Sequence, residues 1–133
     1  MFSLMFCLWL CSLAISLLFP ILLIPIGRTL EKAPSKEVNK FIGYRTSMSM
    51  KNAETWVFAQ KYWGRKVFFF SLLALPLAVV LMLFALNASI VFMVFYGVAV
   101  MAIVLAFVLI PSILLTEKAL KANFRQDGAR KEI

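Results

Sequence analysis

"VFFFSLLALPLAVVLMLFALNASIVFMVFYGVAVMAIVLAFVLIPSILL", residues 67–115, contains no Asp, Glu, Lys or Arg. The turn Asn87-Ala88-Ser89 divides it into apolar runs over 67–86 and 89–115. About 20 apolar residues are enough to cross the hydrocarbon core of a bilayer. Each half is therefore long enough to span, and a turn of three residues makes the two spans antiparallel neighbours. A hairpin of this kind decides the fold class.

Upstream, residues 1–26 are also free of charge and supply a third span over about residues 2–26. A cleaved signal peptide would need a basic leading segment and an apolar run of only about 7–15 residues, and this segment has neither. The whole chain of 133 residues is 63% hydrophobic and 15% charged, against about a quarter charged in soluble domains. It reads as one all-α membrane domain over residues 1–133, with a loop over 27–66 and a tail over 116–133.

The charges lie in the loop and the tail. The loop carries nine Lys or Arg against three acids, the tail five against three, and together they hold the whole net charge of +8. Basic loops stay on the cytosolic side. The expected topology has the N-terminus outside, the loop inside, the Asn87-Ala88-Ser89 turn outside and the tail inside. This excess of cations implies attraction to anionic lipid headgroups; nucleic acid is not an expected partner.

Small residues at helical spacing mark the expected packing faces: Cys7, Cys11, Ser12 and Ser16 on span 1, Ala74 and Ala78 on span 2, Ala102 and Ala106 on span 3. Such residues let helices approach where lipid supplies no hydrophobic drive. Pro20 and Pro25 predict a kink or an early end to span 1.

Between Gly27 and Lys40 the loop alternates Lys and Glu and reads as a linker. From Ala53 to Lys66, Trp56, Ala59 and Trp63 share one face with Val67, while Lys51, Glu54, Lys61 and Arg65 gather opposite. Ser49 or Asn52 caps this stretch, with Glu54 in the first turn. The expectation is a separate amphipathic helix lying in the cytosolic interface, with Trp56, Tyr62 and Trp63 at headgroup level and the chain turning into the bilayer at Gly64.

Catalytic chemistry has little to draw on. There is no histidine, so neither a Ser-His-Asp triad nor an HExxH zinc motif is available. Two cysteines and six scattered acids show no metal-ligand spacing, and no glycine-rich phosphate loop is present. The expected enzyme class and cofactor are none. Transporters place ionisable residues at the midplane, and these spans have none; a homo-oligomeric channel stays open, without a selectivity filter to point at. Recognition at the membrane is left.

The segment Gly43-Tyr44-Arg45-Thr46 is a glycine-led turn in which Arg45 is suited to a lipid phosphate, a carboxylate or a helix C-terminus. Taken in order, Asn39, Ile42, Gly43, Tyr44, Arg45 and Thr46, then Ser49, Met50, Lys51 and Asn52, then Thr55, Trp56, Ala59 and Gly64 resemble the signature of the SdpI/YfhL family of bacterial membrane proteins. The hairpin that follows and the helical tail Thr116-Glu117-Lys118-Ala119-Leu120 fit the same pattern, so the resemblance covers nearly the whole chain. Some members are longer, with spans before this module; this chain looks like the three-span form.

The resemblance implies an immunity protein of the bacterial cytoplasmic membrane that protects a cell from a secreted killing peptide, with that toxin peptide and membrane lipids as partners. In this reading Arg45 and Asn52 organise the inner turn, Trp56 and Trp63 fix the helix at the interface, and the spans meet the toxin. Whether the signature residues bind the ligand or only lock the fold stays open. The alternatives are a signalling receptor that captures a cytosolic regulator through its basic loop, and a small structural subunit of a membrane complex.

Overall fold

The computed structural model describes residues 3–38, 41 and 43–132. Asn39 and Ile42 of the signature lie outside the described residues. The described residues form three helices, α1 (Leu4–Lys32), α2 (Ala53–Leu83) and α3 (Ile90–Asn123), and each packs against the other two. All three are long and apolar enough to cross a membrane. Each begins at a side-chain cap that accepts one of the backbone N–H groups left free in a first helical turn: Ser3 from Phe6, Asn52 from Thr55, Ser89 from Phe92.

The other end of α2 is closed by its neighbours. Trp9 Nε1 on α1 donates to the Met82 carbonyl at 2.7 Å, and the Tyr96 hydroxyl on α3 donates to the Leu81 carbonyl at 2.8 Å. These carbonyls belong to the last turn of α2, where regular i+4 partners run out and lipid offers none, so the side chains add to the i+3 backbone bonds that each also accepts. Tight i to i+3 bonds from Phe84, Ala85 and Leu86 then carry the chain toward Ser89 and α3.

Three expectations are corrected. First, of the two outcomes expected at the prolines the early end is overturned: Pro20 and Pro25 lie inside a helix that continues to Lys32. Pro20 is buried against the bundle, where neighbouring helices hold the path of a helix interrupted by a missing N–H.

Second, there is no separate interfacial helix. Ala53–Lys66 and the second span are one uninterrupted helix, and Gly64 is an interior residue of it. Gly64 serves a close crossing: a Cβ there would stand 2.6 Å from the Gly27 carbonyl oxygen, and one on Gly27 would stand 2.7 Å from that of Gly64. Only glycine on both helices permits this approach.

Third, the packing faces shift. Cys7 and Cys11 are exposed on the outside of α1, which turns Trp9, Ser16, Pro20 and Gly27 inward. On α3 the seam is Val100, Val104 and Val108, continued by Ser112 and Thr116, and Ala102 faces out. Ala74 and Ala78 on α2 are fully buried, as their spacing implied. The buried core has two parts. One lies among the spans around Val67, Ala74, Met82 and Val104. The other gathers Tyr44, Ala59, Leu120 and Phe124 at the loop-and-tail end, and Trp63 packs against both.

Candidate functional site

The second core is the inside of a polar cap built where the loop, the start of α2 and the end of α3 meet. Its centre is Gln60, fully buried on α2. A buried side-chain amide must find partners, and this one finds both in a single residue: Gln60 Oε1 accepts from Tyr44 N and Gln60 Nε2 donates to Tyr44 O, each at 2.7 Å. The amide thus holds the Tyr44 backbone as a neighbouring strand would. Gly43 makes room for it, with φ at 109°, and a Cβ there would run into Gln60 Oε1.

The next residues form a chain of reciprocal bonds. Thr46 N donates to Ser49 Oγ at 2.8 Å and Ser49 N donates to Thr46 Oγ1 at 3.2 Å, while Ser49 Oγ also donates to Tyr44 O at 3.1 Å. Thr55 Oγ1 donates to Ser49 O at 3.1 Å. Asn52 and Thr55 make a capping box, Thr55 N donating to Asn52 Oδ1 and Asn52 N to Thr55 Oγ1. The segment from Tyr44 to Thr55 is therefore fixed by its own side chains.

From here several contacts tie the cap to α3 and the tail. The Tyr44 hydroxyl donates to Glu117 Oε1 at 2.6 Å. Burial, then the hydrogen bond and charge of Glu117, push the Tyr44 ionisation well above the ordinary tyrosine value, so the phenol stays a donor. Asn52 Nδ2 donates to Gly128 O at 2.8 Å, and the tail turns back there through Arg125 N to Ala129 O and Lys131 N to Asn123 O. Arg130 reaches Glu54 at 3.0 Å, an exposed pair that adds little. Phe124 meets Phe58 edge-on at 5.3 Å, which explains why an aromatic ring sits among the charges of the α2 start.

The signature residues separate by place. Gly43, Tyr44, Thr46, Ser49, Asn52 and Trp56 converge in the cap. Trp56 is inside the protein at 1% exposure, its Nε1 donating to Ser35 O at 3.1 Å. Trp63 stacks obliquely on Tyr44 at 5.5 Å. The apolar face of the α2 start therefore meets protein and not lipid. Gly64 belongs to the α1–α2 crossing. Arg45 stands apart: it is exposed, and among the described residues it makes no hydrogen bond or ion pair. The turn is organised by Gln60, Ser49 and Thr46 in its place.

Gln60 and Gly27 are the residues that sequence reasoning missed. Gln60 carried a signal, being an uncharged polar residue beside the Trp56–Ala59–Trp63 face. Among the described residues no three His, Cys, Asp or Glu side chains are grouped to hold a metal. What the cap can do chemically is present backbone, hydroxyls and the Arg45 guanidinium on a rigid base.

The family model described as "SdpI/YfhL protein family" matches residues 36–114. That stretch takes in the cap segment, all of α2 and most of α3. No curated protein and no solved structure matches the chain.

Proposed function

The chain belongs to the SdpI/YfhL protein family, and from that membership we propose that it is an integral membrane immunity protein, not an enzyme, that protects the cell from a secreted membrane-active peptide. The family match is the observation that carries this reading. Three helices fit to cross a membrane support it, as do spans without ionisable residues, which suit contact with a peptide already in the bilayer. A shallow apolar groove between α1 and α3, lined by Leu8, Cys11, Ser12, Met93 and Gly97, offers such a peptide a place near the turn end of the hairpin. Binding there blocks the peptide before it assembles.

The orientation belongs to the same proposal: N-terminus and hairpin turn outside, cap and tail in the cytosol, following the cationic excess of loop and tail. Single cysteines at Ser35, Asn87 and Asp127, in a background without Cys7 and Cys11, test it with an impermeant thiol reagent. On intact cells only the Asn87→Cys form is labelled. Asn87 is exposed and leaves the Ser89 cap in place. Labelling of Ser35→Cys from outside reverses the topology.

The function is tested by survival. Sensitive bacteria carrying the protein, its Arg45→Ala form at equal membrane abundance, or neither, are challenged with a panel of membrane-killing peptides. The protein raises the killing concentration of at least one peptide. Because Arg45 holds nothing in the described fold, loss of protection in Arg45→Ala reports on recognition and not on folding. Equal killing of all three strains, with protein verified in the membrane, rejects the immunity reading.

A further inference from the structure

Among the described residues, one depression at the cap end is lined by cations on the tail and another by cations on α2, and the depth of their outermost residues tells them apart. Lys121, Arg125 and Lys131 line one depression beside Phe124. Phe124 faces Phe58, and Phe58 is nine residues, about 14 Å of helix, before Val67, where the apolar run of α2 begins. The headgroup layer is only about 5–7 Å thick on each side. Phe124 and Arg125, the outer part of that cluster, stand beyond the lipid phosphates, while Lys121, six residues past Leu115, lies at about 9 Å.

The second depression is lower. It is formed by Phe58, Lys61, Tyr62 and Arg65 on one face of α2, and Arg65 and Lys61 are about 3 Å and about 9 Å of helix from Val67. Its cations bracket the phosphate plane. We propose that this depression binds the phosphate of an anionic phospholipid headgroup, a role that goes beyond the immunity reading and does not depend on it.

The side chains are arranged for that ligand. Lys61 and Arg65 are one helical turn apart and project over the same patch. Glu31 on α1 takes Arg65 Nε at 3.1 Å, which orients the guanidinium and leaves its outer nitrogens for a two-point contact with phosphate. Lys61 pairs with no acid among the described residues. Phe58 and Tyr62 stack at 5.9 Å to wall the site, and Lys66 Nζ sits 5.2 Å from the Tyr62 ring on its bilayer side. Arg28, over the Phe68 ring at 5.0 Å, adds positive charge close by. Glu31, at the margin, is shared by two arginines.

The test counts lipids retained on the detergent-solubilised protein by native mass spectrometry, with phosphatidylglycerol and phosphatidylcholine supplied in equal amounts. The parent retains phosphatidylglycerol in preference. Each cation near a lipid surface is worth about fivefold in binding, so Lys61→Gln, which leaves the Arg65–Glu31 pair intact, lowers retention about fivefold, and Lys61→Gln with Arg65→Gln lowers it by more. Arg125→Gln with Arg130→Gln removes the same net charge from above the headgroup layer, at Phe124 and Glu54, and leaves retention unchanged. Equal losses from the two double variants show that only net charge matters and overturn the site. No preference for phosphatidylglycerol overturns it too, as does competition by soluble glycerol 1-phosphate equal to that of the lipid, which assigns the depression to free phosphate.

Discussion

Gly64→Ala unfolds at a markedly lower temperature than the parent protein, although alanine is the better helix former by about 1 kcal/mol. The added methyl group would stand 2.6 Å from Gly27 O, 2.8 Å from Glu31 N and 2.9 Å from Leu30 Cβ, and two of those three atoms are backbone. Nothing there can rotate away, so α1 and α2 must separate. Overpacking of this kind costs about 1–3 kcal/mol, and separation forfeits the neighbouring contacts as well. Gly27→Ala behaves alike. The double variant is hardly worse than either single one, because a crossing opened for one methyl group admits the other.

Gly97→Ala is the contrast. Its nearest obstacle is the Ser12 side chain, with Cβ at 3.2 Å and Oγ at 3.5 Å, so the gain in helix propensity offsets the crowding and the melting temperature stays near the parent value. Thermal unfolding followed by helical circular dichroism in one detergent measures all four variants. A Gly64→Ala protein as stable as the parent would disprove the close crossing.

Gln60→Leu is the second large effect. It leaves Tyr44 N–H buried without an acceptor, at about 1–3 kcal/mol, and removes one of two donors to the Tyr44 carbonyl, with Ser49 Oγ keeping the other. A loss of about 3 kcal/mol follows from those terms together. Proteolysis localises it: cleavage appears between Gly43 and Asn52 before the spans lose helicity.

Gln60→Glu separates hydrogen bonding from shape. An ionised carboxylate still accepts from Tyr44 N–H but turns its second oxygen on the Tyr44 carbonyl, inside the protein. Protonation restores the donor. Burial and that carbonyl raise the glutamate's folded pKa above its unfolded value of about 4.3. The sign follows from proton linkage: stability is recovered toward and below the unfolded pKa and lost as pH rises through the folded one. A Gln60→Glu protein that tracks Gln60→Leu at every pH would show that the two bonds do not hold the loop.

The three helices were legible because absence of charge is a strong signal in a chain that must cross lipid, and Asn52 was legible as a cap because capping is local. The geometry between helices was not. Cys7 and Cys11 are small and regularly spaced, yet face outward, since the side that packs is set by Trp9 reaching the Met82 carbonyl and Gly27 meeting Gly64. No pattern within α1 contains either partner. The same limit explains Trp56 and Trp63. An amphipathic face looks identical in sequence whether lipid or protein covers it, and here the cover is the loop at Ser35 and Tyr44 with the end of α3, none of it within the helix. Gln60 was the local clue that the cover is protein, because a buried amide finds both an acceptor and a donor there in a backbone.

A last consequence concerns mechanics. With 31 residues and no break at Gly64, α2 is a rod about 46 Å long, clamped near its middle by α1 and gripped at one end by the cap. Its proline, Pro76, lies on the far side of that clamp, within the apolar stretch. Between Gly64 and Asn52 the rod has no joint, so a tilt of about 5° about the clamp would swing the capped end by over 1 Å, estimated from the helical rise. The hydrogen bonds from Gln60, Asn52 and Tyr44 tolerate only a few tenths of an ångström. The cap and the bundle therefore act as lever and catch: movement of the rod either is refused or trips every bond of the catch together.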